Sequence, residues 1–245
     1  MALRKYQARA KLPWSKQKYG VKLQELLVKR MSVLYDTACA IEYMHDRRVI
    51  NRDIKAGNIG FDVRGDLKIF DFGLSRVLPS EPDEHDNFKM SRVGTKYYIA
   101  PEVKDKKPYN LSADMYSFGV LIWETLALAT PREVLRVRPS SSVCVSKLPV
   151  CECCWPDEVI DMHKRCMSLD PRERPACSSL KEELRVAITM YGGEDMAQRK
   201  MKPRRSTLRL DLSQIDLTVD ETLSSNLSLP NSDQSTSMAS YSIHS

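Results

Sequence analysis

Glycine is scarce at the front of this chain. Among its nine glycines in 245 residues, Gly20 is the only one before residue 49, so no G-x-G-x-x-G turn exists in that part. Long apolar runs are missing as well. The most apolar stretch, SFGVLIWETLALA at 117–129, contains Glu124 and is too short for a membrane span, which predicts no membrane partner. The N-terminal MALRKYQARAKLPW has basic residues with no apolar core after them, a pattern that predicts no secretory signal. The seven cysteines are scattered and odd in number, which predicts reduced thiols in an intracellular, cytoplasmic setting rather than a disulfide framework. The net charge of +6 is modest and reads as solvation, not as a nucleic-acid partner. With 42% hydrophobic residues, the chain has enough apolar material for one globular domain with a substantial core, plus some excess.

From Val21 to about Asp46, apolar residues recur at helical spacing: Leu23, Leu26, Leu27, Met31, Leu34, Ala38, Ile41 and Met44. That stripe predicts a long amphipathic helix with a core to face. NIGFDVRGDLKIFDFG then predicts a hairpin, with Ile59 and Phe61 alternating before the Arg64-Gly65-Asp66 turn and Leu67 and Ile69 after it. Residues 74–102 show no sustained period and read as a long polar loop, a kind of segment that is usually functional. SADMYSFGVLIWETLALA predicts a helix that is apolar all round at SFGVLIW, hence buried. Further helices are expected around 157–168 and 177–190, with Trp155-Pro156 marking a helix entry. After Gly192-Gly193 the composition changes, and nine of the last 22 residues are Ser. The expected organisation is an N-terminal segment over 1–20, a domain over 21–192 and a disordered Ser-rich tail over 193–245.

Chemistry concentrates in VINRDIKAGNIGFD, residues 49–62. Transfer of a phosphoryl group from ATP needs neutralised phosphates, a metal held by oxygens, and an acceptor for the nucleophile's proton. Asp53 offers the acceptor, Lys55 a cation for the transferring group, and Asn58 an amide oxygen for Mg²⁺. Asp71 of DFG follows thirteen residues after Asn58, and the intervening hairpin folds the two back towards one metal site. Two oxygen ligands with retained waters suit Mg²⁺.

With these residues in place the chain resembles the C-terminal lobe of a eukaryotic protein kinase of the serine/threonine type. NRDIKAGN resembles the catalytic loop, DFG the metal-binding motif, and Ala100-Pro101-Glu102 the end of the activation segment. GTKYYIAPE matches the substrate-docking strip, SADMYSFGVLIWE the buried central helix, and DPRERP the segment whose Arg pairs with the Glu of APE. Five motifs in family order make the match specific. The resemblance implies a mainly α fold with a small β-hairpin, α+β when the kinase is complete. It also implies ATP and Mg²⁺ as cofactors and a protein substrate. Asp53 and Lys55 are the implied catalytic residues, with Lys55, Asn58 and Asp71 on the nucleotide and its metal. Asp114 is expected to hold the catalytic-loop backbone, and Arg174 to pair with Glu102. Lys55 together with Thr95 implies serine/threonine specificity. Arg52 is placed to clamp a phosphate on Ser91, which implies an upstream kinase acting there.

Departures from the family are equally specific. Neither a Gly-rich loop nor a V-A-x-K strand precedes the catalytic loop, so the small lobe that covers ATP is expected to be missing, or encoded upstream of an incomplete chain. A non-catalytic interaction protein is the rival reading. Asn51 replaces the usual His or Tyr near the DFG turn. Gly60 stands where relatives place an apolar side chain under adenine, removing apolar contact of roughly 1–2 kcal/mol. Cys151, Cys153, Cys154, His163 and Cys166 fit no standard zinc spacing and read as buried thiols, with Cys166 opening a helix turn. RKMKPRRSTLRLDL at 199–212 resembles a docking peptide for mitogen-activated kinases, cations followed by alternate leucines.

Overall fold

The computed structural model describes residues 20–79, 87–137 and 155–192. The expected tail at 193–245, the 199–212 motif, most of the N-terminal segment, and Cys151, Cys153 and Cys154 lie outside the described residues. The fold is helix-rich. Helix α1 spans Gly20–His45, and Leu27, Met31, Leu34, Ala38, Ile41 and Met44 of its stripe are buried. The stripe packs along α6 (Cys177–Gly192), which presents Leu180, Leu184, Ala187 and Ile188 in return. Helix α3 (Ser112–Ala127) fills the centre. Phe118, Val120 and Ile122 have no exposed surface at all, as its all-round apolar sequence demands. Helix α5 (Asp157–Cys166) lies against α3, entered through Trp155 and Pro156. Cys166 therefore closes this helix rather than opening a turn, because Met167 already caps it. Two shorter helices, α2 (Pro101–Lys104) and α4 (Pro131–Val137), complete the set among the described residues.

Four short strands frame the chemistry. β2 (Ile59–Phe61) and β3 (Leu67–Ile69) form the expected antiparallel hairpin, with Ile59 opposite Ile69 and Phe61 opposite Leu67. Asp62 ties its turn by accepting the backbone N–H groups of Arg64 and Asp66, both at 2.9 Å, and Gly65 supplies the left-handed φ of +79°. Ile59 and Ile69 pack on the core, which leaves Gly60 and Lys68 on the outer face. The other pair was not expected. β1 (Val49–Ile50) pairs antiparallel with β4 (Arg76–Val77), inside a stretch that reads as loop from sequence. Leu78 extends this clasp by donating to the Arg48 carbonyl at 2.7 Å. The clasp closes the chain at both ends of residues 51–75, so the loop and hairpin between them sit on one rigid base.

Candidate active site

Between β1 and the short 3-10 turn Ala56–Asn58 the chain runs through Asn51, Arg52 and Asp53, all buried. Asp114, at the start of α3 and with no exposed surface, holds this loop from beneath. Its carboxylate accepts the backbone N–H of Asn51 at 2.7 Å and of Arg52 at 2.8 Å. Two bonds to one buried carboxylate are charge-assisted and fix the loop's path, including the left-handed φ of +68° at Arg52. His45, the last residue of α1, adds a third contact to Asp114, Nε2 to Oδ2 at 3.1 Å.

Asp53 collects donors from three residues. Thr95 donates its backbone N–H at 3.0 Å and its hydroxyl at 2.7 Å to Oδ1. Lys55 Nζ and the Asn58 amide donate to Oδ2 at 2.5 and 3.0 Å. Lys55 Nζ also reaches the Thr95 hydroxyl at 2.9 Å. Each carboxylate oxygen thus serves two donors, which fills the acceptor capacity of the group. Thr95 is delivered by Gly94, whose φ of +110° turns the backbone over the loop. A Cβ at Gly94 would stand 2.6 Å from the Arg52 carbonyl oxygen, so only glycine fits there.

The hairpin returns Asp71 to Asn58: the Phe70 N–H donates to the Asn58 carbonyl at 2.8 Å. Asn58 gives its amide nitrogen to both the Asp53 carbonyl and carboxylate, each at 3.0 Å. The amide oxygen is therefore the atom presented on the other side. Asp71 adopts φ of +62° and its exposed carboxylate accepts the Gly73 N–H at 3.3 Å. One amide oxygen and one carboxylate at the rim of the loop make a hard-oxygen donor set that fits Mg²⁺.

Ser91 and Tyr109 meet at Arg52. Its Nη1 lies 3.5 Å from Ser91 Oγ and 3.3 Å from the Tyr109 hydroxyl, while Nε donates to the Leu74 carbonyl. Tyr109 in turn donates to the Ser91 carbonyl at 2.8 Å. Arg174 donates to both oxygens of Glu102, at 2.6 and 2.8 Å. Lys55, Asn58 and Thr95 thus gather on Asp53, Ser91 meets Arg52, and Arg174 ties Glu102 to the helices, while Asp71 stands beside Asn58 through the hairpin.

Two positioning groups, His45 and Tyr98, escaped the sequence reading, and a third, Asn51, stood there only as a departure from the family. Asn51 accepts the Asp53 N–H on its side-chain oxygen at 3.1 Å and reaches Ser75 Oγ at 3.5 Å, joining the loop to the residues after DFG. His45 ends an amphipathic helix with no spacing signal to mark it. Tyr98 donates its hydroxyl to Glu124 of α3. Burial and then the Glu124 partner push the Tyr98 hydroxyl above the ordinary tyrosine range, and burial pushes Glu124 up as well. His163, of the mixed Cys/His cluster, donates to the Gly119 carbonyl at 2.9 Å, and Cys166 is fully buried. Burial raises the Cys166 thiol to about 12, where it stays protonated.

A model of the protein kinase domain matches residues 15–184, more than half of the chain. The chain belongs to the protein kinase family. It is 34% identical over 185 residues to the dual specificity protein kinase shkC of Dictyostelium discoideum, an alignment covering 71% of this chain and 36% of that protein. It is 30% identical over 182 residues to mitogen-activated protein kinase kinase kinase 1a of Physcomitrium patens, covering 74% and 22%. Against cAMP-dependent protein kinase type 3 of Saccharomyces cerevisiae it is 45% identical over 96 residues, covering 39% and 22%. The chain thus spans between about a fifth and just over a third of the length of these three relatives.

Proposed function

We propose that the described residues are the C-terminal lobe of a serine/threonine kinase, transferring the γ-phosphoryl group of ATP to hydroxyls of intracellular, cytoplasmic proteins. The observation that supports this best is the convergence of Lys55, Asn58 and Thr95 on Asp53. Asp53 is the base that accepts and orients the substrate hydroxyl. Because its oxygens already serve four donors, the substrate hydroxyl enters by displacing one of them. Lys55 is the candidate, since its side chain is 25% exposed while Asn58 is buried. Once displaced, the Lys55 ammonium is free to move onto the γ-phosphate and neutralise charge as it transfers. Thr95 keeps Asp53 aimed through its backbone N–H and its hydroxyl. Asn58 and Asp71 are the residues that would hold Mg²⁺, which when bound would supply charge neutralisation to the phosphates.

Ser91 is the proposed site for an upstream kinase, because a phosphate there lies within reach of Arg52. The 199–212 motif is the proposed docking segment for a partner kinase. Neither a G-x-G-x-x-G nor a V-A-x-K motif occurs in the sequence of 245 residues, so the chain alone is expected to transfer phosphate near background. The test supplies a small lobe, grafted from a relative, and measures kcat and metal dependence. Asp71→Asn keeps size and shape but loses the charge on the metal, and should lower kcat about a hundredfold or more. Lys55→Ala should act mainly on kcat, with KM little changed. Full activity of Asp71→Asn at ordinary Mg²⁺ would overturn the metal assignment.

A further inference from the structure

A cleft of about 510 Å³ opens between the C-terminal end of α1, the start of α3 and the Cys177 end of α6. It shares no residue with the Asp53–Thr95 contacts or the Asn58–Asp71 rim. Leu111, Met115, Pro171 and Pro175 give it apolar surface. Most of its charges are matched within the fold: Glu42 pairs with Lys181, Asp170 with Arg172, and Arg174 with Glu102. Two are not. The exposed Asp46 carboxylate has no partner among the described residues, and Arg48 directs Nε and Nη2 to the neutral Pro79 carbonyl, at 3.3 and 2.9 Å. A free anion and a free cation thus stand two residues apart in the chain. Ser112 adds a third group, a buried hydroxyl oxygen with no partner among the described residues. Buried polar atoms are nearly always hydrogen-bonded, and a peptide N–H or carbonyl in the cleft would satisfy this one.

These features fit a peptide with alternate apolar residues, a cation and an anion two positions apart, and main-chain groups for Ser112. LRLDL at 208–212 has that composition, with Arg209 and Asp211 set between three leucines. In an extended peptide, alternate residues lie on opposite sides, so the leucines would share one face and the two charges the other. Reach is no obstacle. Helix α6 carries the chain 16 residues, about 24 Å, from the cleft to Gly192. Residues 193–207 span up to roughly 50 Å when extended, enough to return. We infer that residues 208–212 of this chain dock in the cleft, Arg209 meeting Asp46 and Asp211 meeting Arg48. His45 and Arg174 line the same cleft and hold Asp114 and Glu102, so the segment rests against groups that fix the Asp53 loop and the stretch ending at Glu102. The inference does not depend on phosphoryl transfer. It adds a condition to the docking role proposed for 199–212: a partner kinase must displace the segment from the cleft before binding it.

The test uses the full chain and the anisotropy of a fluorescent peptide of residues 199–212. The triple variant Leu208→Ala/Leu210→Ala/Leu212→Ala leaves the cleft to this peptide and should bind it. The parent should bind it at least tenfold more weakly, because its own segment competes at an effective concentration on the order of millimolar. Adding Asp46→Arg to the triple variant should weaken peptide binding at least fivefold, with the melting temperature within a degree or two because Asp46 is exposed. A peptide carrying Arg209→Asp should restore binding to that protein to within about twofold, and bind the triple variant itself poorly. Equal binding to parent and triple variant, or none to either, overturns the intrachain contact. A loss with Asp46→Arg that the reversed peptide does not restore overturns the cleft as its place. Light scattering should give parent and triple variant the same mass; a dimer lost in the triple variant would put the segment on a second copy and overturn the inference as well.

Discussion

Arg174→Ala is the most demanding test of how the stretch ending at Ala100-Pro101-Glu102 is anchored. The Arg174 side chain has no exposed surface and that of Glu102 only 7%. Arg174 donates twice to Glu102, to the Ser168 carbonyl at 3.0 Å and to the Ser112 carbonyl at 3.1 Å, and its guanidinium lies 5.1 Å from the centre of the Tyr116 ring. Alanine would strand a buried carboxylate and two carbonyls at once. Breaking such a pair by removing one partner destabilises by about 3–5 kcal/mol. For a domain of this size that corresponds to a fall in melting temperature of about 6–20 °C. Calorimetry of parent, Arg174→Ala, Arg174→Lys and Glu102→Gln reads it directly. Lysine keeps the charge but not the two-pronged geometry, so it should fall between parent and alanine. Glu102→Gln should lose nearly as much as alanine, because the guanidinium is then the stranded charge. A melting temperature for Arg174→Ala within a degree or so of the parent would refute the reasoning.

Two further outcomes follow from the same geometry. Gly94→Ala forces a Cβ to within 2.6 Å of the Arg52 carbonyl and strains φ of +110°, so it should destabilise by about 1–3 kcal/mol and separate Thr95 from Asp53; urea unfolding measures the loss, and an unchanged midpoint contradicts it. Burial holds the His163 imidazole below its ordinary value of 6.5. The unfolded chain therefore takes up this proton first as pH falls, so the stabilisation is complete above about 6.5 and declines below it. His163→Gln, which keeps a donor for Gly119, should flatten that decline relative to the parent in unfolding free energies measured from pH 7.5 to 5; identical slopes would count against a buried neutral His163.

Periodicity alone was enough for α1 and α3, because their apolar positions face a core and nothing else decides their fate. It was not enough for β1 and β4. Two-residue strands have no alternation to read, and their pairing is set by closure of the chain around residues 51–75 rather than by local preference. The contact between Glu102 and Arg174 joins residues 72 apart, and only the family resemblance of APE and DPRERP brought them together in advance. Asn51 shows a different limit. From sequence it stands only as a replacement of His or Tyr near the DFG turn. In the fold both faces of the amide are used, the oxygen on the Asp53 N–H and the nitrogen near Ser75. Substituting it would disturb the loop and the DFG segment together.

Gly60 carries the same lesson further. Read as a single position, it subtracts apolar surface from a nucleotide site. The register of the hairpin, Gly60 opposite Lys68 and Phe70 two residues on, turns the missing side chain into room for a neighbouring ring. A residue's direction depends on which strand lies beside it and in what alignment, and that information appears only when both strands are paired. The loss at residue 60 and the bulk at residue 70 are therefore one feature of the site. A side chain added at residue 60 would have to displace the Phe70 ring from its present pose.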